Sequence, residues 1–442
     1  MYIKALKQIS VFALVTNLFY GAFAIIQIKF FKKVIIPSIT IKIILSSFLL
    51  IWIIHLLLVK RVRLLISQKV AIFYLLWLGY SLFSFFLLFR LNYPISYIIF
   101  SFMATMFYPA FMLFYIFGPQ KLEVIKKMDL NDIYFKMSKL LLISAFIIWP
   151  LGMAQYFFNS PIIQTNINDD YWKIMSQNFF GHIRATSFFS SALEYGLFSL
   201  TVLSIYFSKH MFYRKSIFNV FIIVVSIVNI YITLTRNIYL TMVFALSTLV
   251  VLKIYDKKID RQKLLLYILP LIYLLISVLI IYVTPIIRKV DFRSLTNDMS
   301  LYMRLNEWDY YLKFIFNGNI FDLLFGYGLI QNDRFDLTKN IIIDNTYLAL
   351  VLYQGLIGLV LYMCFYFSLW IYLVKISIKN RNYFEIALMS ILSSYLVRSF
   401  FNIAVFGDYL NFILLFWVLI INKFNNLVEV SNESSDNIRF IS

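Results

Sequence analysis

Charge is scarce in this chain. Only 14% of the residues are Asp, Glu, Lys or Arg, where an ordinary soluble domain carries about 25%. Set against 62% hydrophobic residues, that shortage excludes an ordinary soluble domain and points to an integral membrane protein. Cysteine is nearly absent. Cys364 stands alone inside an apolar run, so neither a disulfide framework nor a thiolate metal site can be built. Histidine is also sparse, and His55, His182 and His210 lie too far apart in sequence to show ligand spacing. A structural metal is therefore not expected. Repeats of solenoid length are missing, as are the paired, Gly- or Pro-broken segments of inverted-repeat transporters.

What remains is hydrophobic helix. A span needs about 20 apolar residues, and the chain holds about twelve such runs, at 8–28, 36–59, 70–89, 95–117, 140–158, 187–207, 217–235, 237–252, 264–284, 346–374, 386–404 and 408–422. Lys4 and Lys7 ahead of an apolar run resemble a signal sequence. The run is long and has no small-x-small cleavage site, so it reads as a retained first span. Two spans carry awkward cations: Lys42 can snorkel to an interface, while Arg398 lies deep enough to require a partner. The Asn- and Ser-rich end, 423–442, reads as a disordered cytoplasmic tail behind a single transmembrane helical domain, 1–422.

The net charge of +19 could mark a nucleic-acid binder. Its cations sit instead in short loops between spans, which is how topology is set, so no nucleic-acid partner is expected. With the N-terminus inside, inner loops hold Lys60, Arg61, Arg63 and Lys69, then Lys121, Lys126, Lys127, Lys136 and Lys139, with more at Lys253–Lys263 and Lys375–Arg381. The short outer loops hold far fewer, although Lys29, Lys32 and Lys33 run against the bias. This asymmetry places both termini in the cytoplasm. Two long loops then lie outside, 159–186 and 285–347.

The loop 285–347 is the one long polar interruption, and chemistry is expected to concentrate there. From Ser300 to Phe316 the residues Leu301, Leu305, Trp308, Leu312 and Ile315 recur at helical spacing, with Ser300, Arg304, Glu307 and Tyr311 aligned on another face. That pattern predicts an amphipathic helix that lies on the membrane or covers a cavity. A solvated face with a local Arg–Glu pair fits the same spacing. Gly326-Tyr327-Gly328 forms a flexible turn. Asp344-Asn345-Thr346-Tyr347 leads into span ten, where Gly355 and Gly358 permit close helix packing.

The earlier outer loop holds Arg184 and, ten residues on, Glu194, followed by Gly196. An arginine fork at the membrane surface can grip phosphate, and a carboxylate inside a span is costly unless paired or functional. Headgroup anchoring by Arg184 and an interhelix bond from Glu194 fit equally. Arg236, at the turn between two spans, reads first as an interfacial anchor.

In this order the motifs resemble the bacterial O-antigen polymerase and O-antigen ligase superfamily, in particular the Wzy-type polysaccharide polymerases. The resemblance covers a little over half the chain: Arg184 to Gly196, the Thr-Arg step at Arg236, Arg304 with Trp308, Gly326-x-Gly328, and Asp344-Asn345-x-Tyr347-Leu348 followed by Gly355 and Gly358. It implies an all-α, polytopic, glycosyltransferase-C-like fold of about twelve helices, with a large outer loop before the tenth. It also implies a metal-independent glycosyltransferase, with no cofactor, in the bacterial cytoplasmic membrane. Its substrates would be undecaprenyl-pyrophosphate-linked glycans, joined into O-antigen, capsular or exopolysaccharide, and a flippase and a chain-length regulator are implied partners. Arg184, Arg304, Arg236 and Arg293 would bind pyrophosphate, with Trp308, Asn345 and Tyr347 beside them. Asp344, Glu194 or Glu307 would deprotonate the acceptor hydroxyl.

Two departures bear on the branch. The polymerase Arg-to-Gly spacing is one residue shorter than that between Arg184 and Gly196. Asn345 and Gly355 keep the ligase spacing, but Asp344 occupies the ligase histidine position, which favours the polymerase. A polysaccharide or lipid transporter is the alternative from another class. It requires ionisable residues along the membrane midplane, and few are present. A transferase that modifies protein or lipid A requires acids in the first outer loop, where Ile28–Val34 has none.

Overall fold

The computed structural model describes residues 62–90, 94–96, 107–119, 130–159, 182–189, 191–254, 259–287, 299–328, 345–399 and 409–439, with isolated positions between 8 and 58. The runs expected to span at 8–28 and 36–59 therefore lie largely outside the described residues. Within them the chain is mostly helical. A short antiparallel ribbon pairs β1 (Val62–Leu64) with β2 (Phe117–Pro119) in the register Val62 to Pro119 and Leu64 to Phe117. This adds a β element to a fold expected to be all-α.

The helices are α1 (Gln68–Arg90), α2 (Phe107–Phe111), α3 (Leu113–Ile116), α4 (Leu130–Phe157), α5 (Ala192–Phe212), α6 (Ile217–Tyr231), α7 (Arg236–Ile254), α8 (Ile259–Ile287), α9 (Met299–Asn317), α10 (Ile320–Phe325), α11 (Thr346–Asn380), α12 (Tyr383–Arg398) and α13 (Tyr409–Arg439). Four of them, α1, α4, α7 and α11, contain segments long and apolar enough to cross a membrane. Several helices turn large apolar side chains outward, among them Ile143, Phe146 and Ile147 on α4, and Phe221 and Val224 on α6. Such faces suit lipid rather than water.

α12 sits at the centre. Every residue from Tyr383 to Arg398 is buried, because α5, α7, α8, α11 and α13 pack around it. A helix covered on all sides should be apolar all round, yet this one begins with Glu385 and ends with Arg398. Glu385 is fully buried and receives the Tyr134 hydroxyl at 2.8 Å, the Asn422 amide at 2.7 Å and the Asn380 amide at 3.0 Å. Neutral donors from α4, α11 and α13 thus satisfy a group that would otherwise be costly to bury. They tie four helices together at the end of α12 opposite Arg398.

α11 is broken. At about 1.5 Å per residue, its 35 residues exceed the thickness of a bilayer core of about 30 Å. The break falls at Gly355, with φ 66° and ψ −173°, a region open to glycine and almost nothing else. Carbonyls released by the break are taken up from elsewhere. Tyr327 N–H donates to Leu352 O at 2.9 Å, Gly328 N–H to Tyr353 O at 2.9 Å, and the Tyr80 hydroxyl to Gln354 O at 2.9 Å. Gly326 (φ 78°, ψ −175°) faces Gly355, and a Cβ on either would overlap the other strand's backbone. The Gly-Tyr-Gly turn is therefore a dock for the broken helix, not a free hinge, and Gly355 serves to break α11 where close helix packing was expected.

α9 is the expected amphipathic helix, but its buried stripe is rotated from the expected one. Trp308, Tyr311 and Ile315 are buried against α11 and α10, while Leu312 is exposed. Tyr311 belongs to the packed face, not to the polar one. α13 continues to Arg439, so the backbone of 423–439 is helical where composition pointed to disorder. Extending a helix from a packed stretch costs far less than nucleating one.

Candidate functional site

The Arg184 loop is held in place by its backbone. Ala185 N–H donates to Ile232 O at 3.1 Å. Thr186 and Ser187 N–H both donate to Gln155 Oε1, at 3.0 and 2.7 Å, and the Ser187 hydroxyl donates to Ile148 O at 2.6 Å. Ser187 turns the chain with φ 51°. His182 stacks on Tyr156 with centroids 4.6 Å apart. These contacts fix a half-buried Arg184 against the Phe157 end of α4 and the turn after α6, within electrostatic reach of Tyr239.

α5 starts directly after this loop. Ser191 caps it, its hydroxyl accepting the Glu194 N–H at 3.2 Å. Ser191-Ala-Leu-Glu194 is thus a capping-box pattern, and its carboxylate also suits the positive end of a helix dipole. Glu194 has a structural reason to be there, yet its charge also acts on Arg398. Gly196 lets α5 approach α7, because a Cβ there would lie 2.9 Å from the Ile238 side chain.

α11 begins against the end of α12. Thr346 N–H donates to Ser399 O at 2.7 Å and the Tyr347 hydroxyl donates to Leu396 O at 2.9 Å. An N-terminal donor of one helix thereby satisfies a C-terminal acceptor of the other. Asn345 caps α11, its side-chain oxygen accepting the Leu348 N–H at 3.0 Å.

The end of α12 therefore joins the two loops. Arg398, 1% exposed, sits next to Ser399, over the Tyr395 ring at 5.4 Å, within electrostatic reach of Glu194 and Tyr362. The Glu194 carboxylate, in the first turn of α5, acts electrostatically on Arg398.

The other expected site residues fall less neatly. Arg236 is exposed at the first turn of α7. Trp308 is 6% exposed and packed in the core, so it is not an open platform for a sugar ring. Asn345 and Tyr347 spend their side chains on the α11–α12 junction. Arg293 and Asp344 lie outside the described residues, as do the side chains of Arg304 and Glu307, whose backbone lies in α9. Sequence reasoning flagged Arg398 only as a buried cation. Its place in the site was not visible until α5, α11 and α12 came together.

No family model matches the chain, and no curated protein does either. The reading of function therefore rests on this junction and on the motifs that meet there.

Proposed function

We propose that this chain is a polysaccharide polymerase of the Wzy type, a metal-independent glycosyltransferase acting at the outer face of the bacterial cytoplasmic membrane. It joins undecaprenyl-pyrophosphate-linked oligosaccharide units into O-antigen, capsular or exopolysaccharide. One observation carries this reading. The first turn of α5, which follows the Arg184 loop and carries Glu194, and the start of α11 at Thr346 are far apart in sequence, yet Glu194 acts electrostatically on Arg398 and Thr346 bonds to Ser399 at the same end of α12.

Transfer between two lipid-linked glycans needs the leaving pyrophosphate stabilised and the acceptor hydroxyl deprotonated. Arg184 stands at the rim as the cation for the pyrophosphate, with Arg304, Arg236 and Arg293 as further candidates. Glu194 sits in the first turn of α5, which Ser191 caps, within electrostatic reach of Arg398, and Asp344 directly precedes the Asn345 cap. Either can serve as the base, and Glu307 remains a third candidate. In this role the C1–O bond to the pyrophosphate breaks as the acceptor oxygen bonds to C1, and the base takes the acceptor's proton.

Arg184→Ala is expected to abolish long-chain surface glycan on a gel while leaving protein abundance in the membrane unchanged. Polymer of normal length and amount from the variant would remove Arg184 from the site. Loss of the whole chain that leaves finished polymer unattached would indicate a ligase instead.

A further inference from the structure

Asn237, the second residue of α7, is the odd polar group at this end of the molecule. Both its side-chain nitrogen and its side-chain oxygen are buried, and neither has a hydrogen-bond partner. Among the described residues no other side chain has two polar atoms in that condition. Buried amides are normally satisfied, and one that is not calls for an explanation.

Its position supplies one. Along α7, Asn237, Thr241, Phe244 and Thr248 follow at helical spacing. The Thr248 hydroxyl lies 2.7 Å from that of Ser393 on α12, so this stripe faces α12. The neighbouring Ile238 fills the space over Gly196, two residues beyond Glu194. Asn237 thus lies at the end of α7 that borders both the first turn of α5 and the α12 face leading to Arg398.

We propose that the Asn237 amide reads a sugar hydroxyl of the bound glycan. The chemistry separates this from a phosphate contact. An ionised phosphate oxygen only accepts, and would satisfy the amide nitrogen alone. Hydroxyls both donate and accept, so a sugar can satisfy both amide atoms. This inference rests on the polymerase reading and makes Asn237 a specificity residue, distinct from the arginines that hold pyrophosphate.

The test uses full-length protein in nanodiscs and two lipids. One is undecaprenyl pyrophosphate without sugar; the other is the lipid-linked glycan fraction extracted from cells lacking this chain. Asn237→Leu removes the amide at similar volume. The variant is expected to unfold at the same or a higher temperature, because an unsatisfied buried amide contributes nothing to the fold. It is expected to bind the glycan-bearing lipid about ten-fold more weakly and sugar-free undecaprenyl pyrophosphate as well as the unmodified protein does. Equal binding of the glycan lipid by unmodified and Leu variant proteins would overturn the assignment, leaving an amide that only solvent satisfies. A marked loss of thermal stability in the Leu variant would also overturn it, since the amide would then serve the fold. If the unmodified protein itself binds neither lipid, the polymerase reading fails, and this assignment with it.

Discussion

Gly355→Ala is expected to lower stability by about 3 kcal/mol, the upper range for a residue forced into a glycine-only backbone region. At φ 66° and ψ −173° alanine has no comfortable conformation, and its Cβ would overlap the Leu324 carbonyl and the Phe325 nitrogen. The neighbours that would have to move are backbone, held by the Tyr327 and Gly328 bonds to α11. Relief therefore requires the dock between the Gly-Tyr-Gly turn and the broken helix to open. Gly79 offers the contrast. It lies inside α1 with nothing within 4 Å of a Cβ, so Gly79→Ala is expected to raise stability by up to about 1 kcal/mol through helix propensity. Thermal unfolding of both variants in the same detergent tests the pair. Equal midpoints would mean that the break at Gly355 is not a fixed feature of the fold.

Arg398→Gln is expected to be the second large effect. Breaking a buried ion pair by removing one partner costs about 3–5 kcal/mol. Glu194 is half-buried, so solvent screens part of its charge and the expected loss falls below that range. The informative quantity is the coupling. In a double-mutant cycle with Glu194→Gln, the two changes together should cost less than their sum by about 0.5–3 kcal/mol. Strict additivity would mean that the Glu194–Arg398 pair does not join α5 to α12. For the proposed polymerase, loss of polymer should accompany loss of this electrostatic link between α5 and α12.

Hydropathy located most helices well, because burial in lipid or protein selects the same apolar runs. α1, α4 to α8, α11 and α12 overlap the runs read from the sequence. Local pattern failed where a distant element decided the outcome. Leu312 and Tyr311 differ little in their fit to a helical stripe, and only the seat of α9 against α11 and α10 buries the tyrosine and exposes the leucine. Gly355 looks like any small packing residue until Gly326 is set against it. The ribbon between β1 and β2 pairs short segments more than fifty residues apart, with no alternation long enough to announce a strand.

The candidate site was legible in part. Arg184 and Glu194 were singled out by charge in an apolar context, and Glu194 lies within electrostatic reach of Arg398. Arg398 was noticed as a buried cation in need of a partner, and the electrostatic influence of Glu194 on it links residues more than two hundred positions apart. Asn237 was passed over because an amide next to an arginine in a turn carries no signal in sequence. Its meaning comes from burial without a partner. Asn345, expected beside the substrate, also has a structural task as the cap of α11.

The most direct test of the proposed polymerase is reconstitution. The purified full chain in liposomes is supplied with the lipid-linked glycan fraction from cells lacking it, and products are resolved by size. The proposal predicts a ladder of glycan rising by whole repeat units, with undecaprenyl pyrophosphate released at each step and no added metal required. Lipid-linked glycan that stays one repeat unit long, with no undecaprenyl pyrophosphate released, would contradict it.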